Sequence, residues 1–600
     1  MRRLSLAAAA IAAVGVAPLL LTPFQVTLAN NIGIAALVTL GLVLLTGIAG
    51  LTSFGQAAFV GIGAYAAAYL ATVVELPPAL AWLGGSPWGG LALGLALALA
   101  VAVVLGAVTF RLAGHYLPLG TIAWGLAIAF LFGTADSLGG YTGLSGIPVL
   151  SLFGVRFDSG GRLLWLIWAV LLAALLVTAN LLDSRQGRAI RALKGGQLMA
   201  RSMGIDVVRA KMAAFLIAAA FAAIAGWLYA YTQRFVSPAP FSLGAGIEYL
   251  FMALIGGAAS IWGAVVGAAV FILSKEWLQD LLPHLAGRTG NFEAVVFGLL
   301  VIVLMQHMPD GIASAVRRAA RRARRPRPPS PAAGDTAAPL PMRAKPRPGE
   351  VILDARGITR RFGGLLANDD VSLSVRAGEV LAVIGPNGAG KSTLFNQLSG
   401  VDRPTAGTIV FRGQLAAGSS PRAMARHGLA RTFQHVRLLP ELTVLENAAI
   451  GAHLRGRKGL VAAMLRLDRR EEAQLLAEAR RQLARVGLAA RCDDRAGSLP
   501  LGQQRLLEIA RAVAADPCLL LLDEPAAGLR FEEKQELAGL IDRLRCDGMA
   551  VLLVEHDMDF VMGLADRVFV MDFGREIAHG RPADVQADPA VLEAYLGADA

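Results

Sequence analysis

Residues Val380–Gly400 read VLAVIGPNGAGKSTLFNQLSG, and they set the fold of the second half of the chain. The aliphatic run Val380–Ile384 predicts a buried strand. A glycine-rich turn follows, and KSTLFNQL then opens a helix. The turn, Gly385-Pro386-Asn387-Gly388-Ala389-Gly390-Lys391-Ser392, matches the phosphate-loop pattern G-x-x-x-x-G-K-[ST] in its strand–loop–helix context. The residue types follow from the ligand chemistry. Glycines let backbone N–H groups converge on phosphate oxygens, and the helix N-terminus adds positive potential. Lys391 is placed to reach the outer phosphates, and the Ser392 hydroxyl to ligate a divalent cation. Gly385, Asn387, Gly388, Gly390, Lys391, Ser392 and Thr393 are the candidate contacts on the phosphate side.

Further along, Leu501–Pro525 reads LGQQRLLEIARAVAADPCLLLLDEP. Leu519–Leu522 predicts a second buried strand, with Asp523 at its polar end. A carboxylate there can hold Mg²⁺ directly or through water. Glu524 follows immediately and points elsewhere, which suits it to polarise an attacking water. An Asp-Glu pair alone is ordinary. One that closes a four-leucine strand downstream of a phosphate loop is specific.

The rest of the chain is of another kind. Six hundred residues exceed one domain. Residues 1–310 are dominated by Ala, Leu, Gly, Val and Ile, whereas 350–600 have an ordinary soluble balance. The net charge of +12 sits largely in Arg317, Arg318, Arg321, Arg322, Arg324, Arg325 and Arg327, just after the last apolar run. That placement reads as an anchor against anionic membrane lipids. No aromatic residues interleave it, which argues against nucleic acid. The three cysteines, Cys492, Cys518 and Cys546, lack metal-ligand spacing and read as reduced side chains.

A spanning helix needs roughly 20 apolar residues. Candidate spans are 4–22, 31–51, 57–75, 89–110, 118–133, 163–182, 212–232, 246–274 and 291–307. The first follows Arg2-Arg3 and could be a signal peptide. The lack of a clean small-x-small cleavage site, and topology, favour a retained span. The loop 183–211 carries Arg185, Arg188, Arg191, Lys194, Arg201, Arg209 and Lys211, so it is expected inside. The basic segment after residue 310 must be inside as well. That parity requires 246–274 to cross twice, turning at Gly256-Gly257, for about ten spans. Asn30, Asn31, Gln56, His115 and Glu248 lie at or near membrane depth. Each could line a pathway, although for each alone an interhelical hydrogen bond or an interfacial position is the favoured reading. Residues 317–349 are Arg-, Pro- and Ala-rich and predict a tether.

With these motifs in order, residues 350–600 resemble the ATPase of an ABC transporter. The resemblance implies that Phe362 stacks on adenine and that Gln434, in RTFQHVRLLPELTVLEN, contacts Mg²⁺ and the membrane domain. It implies Asp523 as metal carboxylate, Glu524 as catalytic base, Pro525–Leu529 as a loop that communicates across an ATPase dimer, and His556 as a γ-phosphate contact. Leu499, Gly502 and Gln503 would reach the nucleotide of a partner ATPase. The family's Leu-Ser-Gly-Gly-Gln signature reads Leu499-Pro500-Leu501-Gly502-Gln503 here. Pro500 removes a backbone donor and the serine hydroxyl is gone, which puts the equivalence of the two ATP sites in doubt.

Residues 30–310 resemble the permease of branched-chain amino acid importers, through LTSFGQAAFVGIGAYAAAYL, YTGLSGIP, RSMGIDVVRAKMAAFLIAAAFAAIAGWLYA and FVSPAPFSLGAGIEYLFMALIGGAASIWGAVVGA. The soluble half is similar to the same family's long ATPase through RFGGLLA, RTFQHVRL, DEPAAGL and VLEAYLG. The expected organisation is therefore a natural fusion: a polytopic helical permease over 1–310, a basic linker over 311–349, and an α/β P-loop ATPase with a helical subdomain over 350–600. The family's coupling-helix pattern, Glu-Ala-Ala-x-x-x-Gly, keeps only Ala200 and Gly204. The loop 184–211 is still expected to dock beside Gln434.

The resemblance implies ATP and Mg²⁺ as cofactors, a bacterial inner-membrane location with the ATPase in the cytoplasm, and a small-molecule cargo, a branched-chain amino acid. It also implies heteromeric partners: a second permease, a second ATPase and a periplasmic solute-binding protein. Urea, short amides or aromatic acids are alternative cargoes. An exporter half-molecule is disfavoured by about ten short-looped spans, and a non-transporting ATPase by the intact Lys391, Asp523, Glu524 and His556.

Overall fold

The computed structural model describes residues 15–73, 77–78, 80–110, 116–286, 292–308, 311–315 and 337–596. The chain divides into two compact units, Met1–Leu181 with Val208–Arg327, and Leu182–Val207 with Pro328–Ala600.

The first unit is helical. Its helices are α1 (Pro23–Leu42, continued as a π-helix over Val43–Ile48), α2 (Gln56–Thr72), α3 (Pro87–Thr109), α4 (Tyr116–Thr134) and α5 (Gly160–Leu182). The chain then makes α6 (Arg185–Ala192) and α7 (Gln197–Ser202), which belong to the second unit. It returns with α8 (Val207–Gln233), α9 (Leu243–Gly256), α10 (Ile261–Ala286) and α11 (Phe292–His307).

Thr22 and Gln25 form a capping box at the start of α1, with Pro23 in the first turn. Small residues let helices touch backbone to backbone. A Cβ on Gly63 would lie 2.1 Å from the Ala223 carbonyl oxygen, and one on Gly226 1.9 Å from that of Val60, so α2 and α8 cross in direct contact. Large apolar side chains on α3 and α4, among them Val104, Val108, Leu119 and Phe130, are exposed, as lipid-facing surfaces require.

Among the described residues, six helices are long and apolar enough to cross a membrane: Pro23–Ile48, α3, α4, α5, α8 and Ile261–Gln279 of α10. This falls short of the expected ten. The reason is length, because α2 has 17 residues, α9 14 and α11 16, below the roughly 20 that a hydrocarbon core needs. The expected span 4–22 lies mostly outside the described residues. The run 246–274 does divide at the anticipated glycines: α9 ends at Gly256, Gly257 takes φ 106, and α10 begins at Ile261.

The polar candidates take different environments. Asn30 is buried and its Nδ2 donates to the Gly160 carbonyl at 3.1 Å. Asn31 is half-buried. Glu248 pairs with Lys275 at 2.9 Å. Gln56 is fully buried. His115 and the arginines 317–327 lie outside the described residues.

The second unit holds β1 (Val351–Phe362), β2 (Leu365–Arg376), β3 (Val380–Ile384), α12 (Lys391–Leu398), β4 (Ala406–Phe411), β5 (Gln414–Leu415), α13 (Pro421–His427) and β6 (Leu429–Arg431). There follow α14 (Val444–Gly451), α15 (Leu460–Met464), α16 (Arg469–Arg485), α17 (Leu501–Val513), β7 (Leu519–Asp523), α18 (Phe531–Cys546), β8 (Ala550–Val554), α19 (Met558–Leu564), β9 (Arg567–Asp572) and β10 (Arg575–Gly580). The main sheet has the order β6-β7-β8-β3-β9-β10, parallel except for β10. A smaller antiparallel sheet has the order β2-β1-β4-β5.

The four leucines of β7 show why the run is unbroken. Leu520 and Leu522 enter one hydrophobic cluster, with Leu537, Leu540 and Ile541 of α18. Leu519 and Leu521 enter another, with Phe395 and Leu398 of α12. A parallel strand covered on both faces needs apolar residues at every position.

The end of the expected tether behaves differently from its composition. Over 337–349 it is strapped to the second unit. Leu340 is buried against Ala452, Leu475 and Ala514. The Arg343 backbone N–H donates to Asp516 Oδ2, the Arg343 side chain to the Arg426 carbonyl at 2.8 Å, and Lys345 to the Asp547 carbonyl at 3.0 Å. Arg455 donates to the Pro341 carbonyl at 3.1 Å. One apolar anchor and these hydrogen bonds hold a segment whose prolines and cations suggest free chain.

Candidate functional site

Strand register builds the site. Val383 of β3 pairs with Val554 of β8, and Val554 with Asp523 of β7. The three strands therefore end together at one carboxyl edge, where parallel α/β sheets bind ligands. The phosphate loop leaves β3, Glu524 leaves β7, and Glu555-His556 leave β8, all at that edge.

Gly390 caps α12 in the left-handed conformation, φ 92, and a Cβ there would lie 2.3 Å from the Ala367 carbonyl oxygen. Only glycine satisfies both conditions. Lys391 is buried and its Nζ donates to the carbonyls of Gly385 at 2.7 Å and Pro386 at 2.8 Å. Burial pushes its ammonium below the usual lysine range, with the Glu524 carboxylate opposing. Asn387, Gly388, Gly390, Lys391, Ser392 and Thr393 line one cleft with Gln434, Glu524 and His556. Leu365–Ala367 of β2 form another wall.

Glu524 is the hub. Its φ of 46 is unusual for a residue with a side chain, and its backbone N–H donates to the Val554 carbonyl at 2.9 Å. This turn separates the Glu524 side chain from that of Asp523. Glu524 Oε2 accepts from Gln434 Nε2 at 3.1 Å, and Oε1 lies 3.2 Å from His556 Nε2. The three residues expected to act in catalysis thus meet at one carboxylate.

Asp523 is buried at the end of β7 and does not line the cleft surface. Its Oδ2 accepts from Arg431 Nη2 at 3.0 Å. Arg431 also donates to Asn396 Oδ1 at 2.7 Å and Ser399 Oγ at 2.8 Å. Burial lowers the Arg431 pKa and Asp523 opposes that shift. Sequence reasoning passed over Arg431, whose signal was a cation three residues before Gln434 in an otherwise apolar strand. It also passed over Glu555, buried, which accepts from the backbone N–H groups of Ala526 at 2.6 Å and His556 at 3.1 Å. Burial raises the Glu555 pKa. That carboxylate ties the Pro525–Leu529 loop to the histidine.

Ser392, Gln434 and Asp523 offer hydroxyl, amide and carboxylate oxygens, a hard-oxygen donor set that fits Mg²⁺. Phe362 stands apart from the cleft walls, half exposed, with the Arg360 guanidinium 4.4 Å from its ring centroid. Leu499, Gly502 and Gln503 are also absent from the cleft, and Pro500 takes the N-cap of α17 with no side-chain cap. All three cysteines are free.

The loop 182–207 forms the unit's second polar site. Ser184 caps α6 through the Gly187 N–H. Arg188 and Glu472 of α16 make a buried two-pronged pair, Nη1 to Oε1 and Nη2 to Oε2, the latter at 3.2 Å. Arg185 donates from its backbone to Glu472 Oε2 at 3.1 Å and from its side chain to the carbonyls of His453 at 2.8 Å and Lys458 at 2.6 Å. Arg191 pairs with Glu446 of α14 at 3.3 Å, and Arg422 of α13 with Asp206 at 2.8 Å. Ala200 is buried, and Gly204 has φ 79 with Leu454 pressed where a Cβ would stand. Gly195 packs on Leu439 and Gly196 on Arg437, just beyond Gln434. Burial together with Arg185, Arg188 and Arg422 pushes the His453 pKa down to about 3, so its ring is neutral at physiological pH.

Comparison with known proteins covers both halves. Residues 24–305 match the family model described as a branched-chain amino acid transport system permease component. Residues 368–527 match the ABC transporter model, and 575–600 that of the branched-chain amino acid ATP-binding cassette transporter. The chain is 45% identical over 249 residues to the high-affinity branched-chain amino acid transport ATP-binding protein LivG of Salmonella typhimurium, covering 41% of this chain and 98% of that protein. It is 43% identical over 249 residues to BraF of Pseudomonas aeruginosa, a protein described in the same words, with the same coverage. Among solved structures, a nucleotide-free ATP-binding cassette from an ABC transporter is 33% identical, covers 41% of this chain and 98% of its own, and has a TM-score of 0.37.

Proposed function

The chain belongs to the branched-chain amino acid ABC transporter family, a membrane permease joined to an ATP-binding cassette, and from that membership we propose that it imports branched-chain amino acids by ATP hydrolysis. One observation carries the cargo: a branched-chain permease match and ATPase relatives described for the same solutes occur in a single chain.

The residues take the following roles in this reading. The backbone of the phosphate loop and Lys391 hold the phosphates, with Gly385, Asn387, Gly388, Gly390 and Thr393 shaping the cradle and Phe362 against the base. Ser392, Gln434 and Asp523 are the oxygen donors for Mg²⁺, which when bound screens phosphate charge. Arg431 fixes the Asp523 carboxylate. Glu524 takes the proton of the attacking water, held between Gln434 and His556. Leu499, Gly502 and Gln503 serve a partner's nucleotide, with Pro500 and Leu501 making that service unequal.

ATP acts through its higher affinity for the closed ATPase pair. Loop 182–207 carries that closure to α5 and α8, whose ends it joins. The working unit needs a second permease, a second ATPase and a binding protein that presents the solute outside. The loop's cations favour the cytoplasmic side of a bacterial inner membrane. Even parity then requires the short helices α2, α9 and α11 to cross with their flanking turns, giving about ten crossings with the division 1–310, 311–349 and 350–600.

The test is uptake of labelled leucine, isoleucine and valine into proteoliposomes carrying the complex purified with its partners. ATP is inside and the binding protein outside. All three are expected to accumulate only with both. The reading fails if none does while urea, a short amide or an aromatic acid accumulates.

A further inference from the structure

The chain between α1 and α2 is not helical. After the π-helix Val43–Ile48, residues 49–55 run irregularly before α2 begins at Gln56. Irregular backbone inside a membrane domain persists where its polar groups find partners or where it lines a path. Part of this break is satisfied locally. Leu51 N–H donates to the Leu45 carbonyl at 2.9 Å and Thr46 Oγ1 to the Leu51 carbonyl at 3.3 Å, while Phe54 N–H donates outward, to Thr121 Oγ1 of α4 at 3.2 Å.

Two side chains are left over. Ser53 is 1% exposed and Gln56 0%. Among the described residues, Ser53 Oγ and both amide atoms of Gln56 have no hydrogen-bond partner. A buried amide left unpaired costs about 1–3 kcal/mol, so such a group calls for an explanation, of which a bound ligand is one. Gln56 is the first residue of α2, and helical side chains lean toward the N-terminus. That lean directs its amide back toward the N-terminal end of α2, where Ser53 stands three residues earlier in the chain. The N-cap is Gly55, which provides no side-chain cap. Glycines also bring neighbouring chain onto the break: a Cβ on Gly246 of α9 would lie 2.3 Å from the Phe54 carbonyl oxygen, and one on Gly125 of α4 would lie 3.6 Å from the Gly55 Cα.

We propose that this N-terminal end of α2, with Ser53 and Gln56, is a solute-binding station in the permease that takes the zwitterionic head of an α-amino acid. The Gln56 and Ala57 N–H groups, the Ser53 hydroxyl and Gln56 Nε2 donate to the carboxylate, which the positive end of a helix favours; Ala58 N–H is taken by the Gly55 carbonyl at 3.2 Å. Gln56 Oε1 accepts from the ammonium. The amino-acid class rests on the importer reading above; the station itself rests on the unpaired groups.

The test compares Gln56→Leu and Ser53→Ala with wild type, in the purified complex reconstituted with its binding protein. Leucine of similar size removes an unpaired buried amide, so a merely structural glutamine predicts equal or higher thermal stability and unchanged uptake. The station predicts equal or higher stability with KM for labelled leucine raised about tenfold or more, since hydrogen bonds to charged groups are lost. Wild-type uptake kinetics in a stable Gln56→Leu complex overturns the station. Should wild type carry no amino acid, the importer reading falls by itself. The station then stands if Gln56→Leu raises KM for the solute that is carried, and falls if it does not. If Gln56→Leu does not assemble, Ser53→Ala, which removes one oxygen, decides by the same KM criterion.

Discussion

Replacing Arg188 by alanine should separate ATP hydrolysis from transport. Arg188 and Glu472 bury their side chains to 5% and 6% exposure. Glu472 also accepts from the Arg185 backbone, so removal of the guanidinium leaves a buried carboxylate with one neutral donor and more distant cations. Breaking a buried pair on one side costs about 3–5 kcal/mol, and each 1.4 kcal/mol is a factor of about ten. The docked state of loop 182–207 should lose at least ~100-fold in population relative to the undocked one. The phosphate loop, Glu524 and His556 are built by other elements, so basal ATP turnover should persist. The assay is the ratio of leucine taken up to ATP hydrolysed in proteoliposomes, and it should fall about tenfold or more. Arg188→Met with Glu472→Met removes both charges and should recover much of the ratio, because well-packed apolar pairs replace buried ion pairs at little cost. An Arg188→Ala complex with the wild-type ratio refutes this reasoning. So does a parallel fall of uptake and hydrolysis, which marks a general loss of stability.

Three further outcomes are expected. Glu524→Gln keeps both neighbours in hydrogen-bonding reach but cannot take a proton, so ATP hydrolysis should fall about 10²–10⁴-fold while nucleotide binding, read by fluorescent ATP analogues, is retained. Burial, with Arg185 and Arg188 of loop 182–207 and Arg422 of α13, holds the His453 pKa down to about 3 in the docked state. Undocking removes the two loop cations and moves that pKa up toward the ordinary histidine value, so as pH falls the undocked state binds a proton more readily and docking weakens, by at most about 1.4 kcal/mol per pH unit. The uptake-to-hydrolysis ratio should drop between pH 7.5 and 5.5, and His453→Gln should flatten that profile. Leu340→Asp places a charge in the apolar pocket of Ala452, Leu475 and Ala514, with about 2 kcal/mol of apolar burial lost; proteolysis within 337–349 should accelerate severalfold.

The phosphate loop was legible because phosphate binding dictates residue types and spacing, and the buried strand expected before it is β3. The strand ending at Asp523 was legible for the same reason. Arg431 was not, because its meaning lies in register: it pairs with Leu521 across β6 and β7, which brings its guanidinium to Asp523. That adjacency joins residues 92 apart and leaves no local pattern. Among the described residues only six helices reach spanning length, because α2 and α9 are short, glycine-interrupted pieces whose apolar runs read as longer than the helices they form. Residues 337–349 read as tether because Leu340 is a single anchor in a proline-rich stretch, and composition averages it away.

The loop 182–207 has a consequence for how subunits are matched. In a cell that makes several related transporters, a permease loop that searches by diffusion can engage any ATPase with a compatible groove. Here the loop's groove is on the same polypeptide and is met at an effective concentration on the order of millimolar. A free homologous ATPase would have to outcompete that to take its place. Equal numbers of permease and motor are thereby set at translation, and the cross-pairing that sequence similarity invites is suppressed without any added recognition surface.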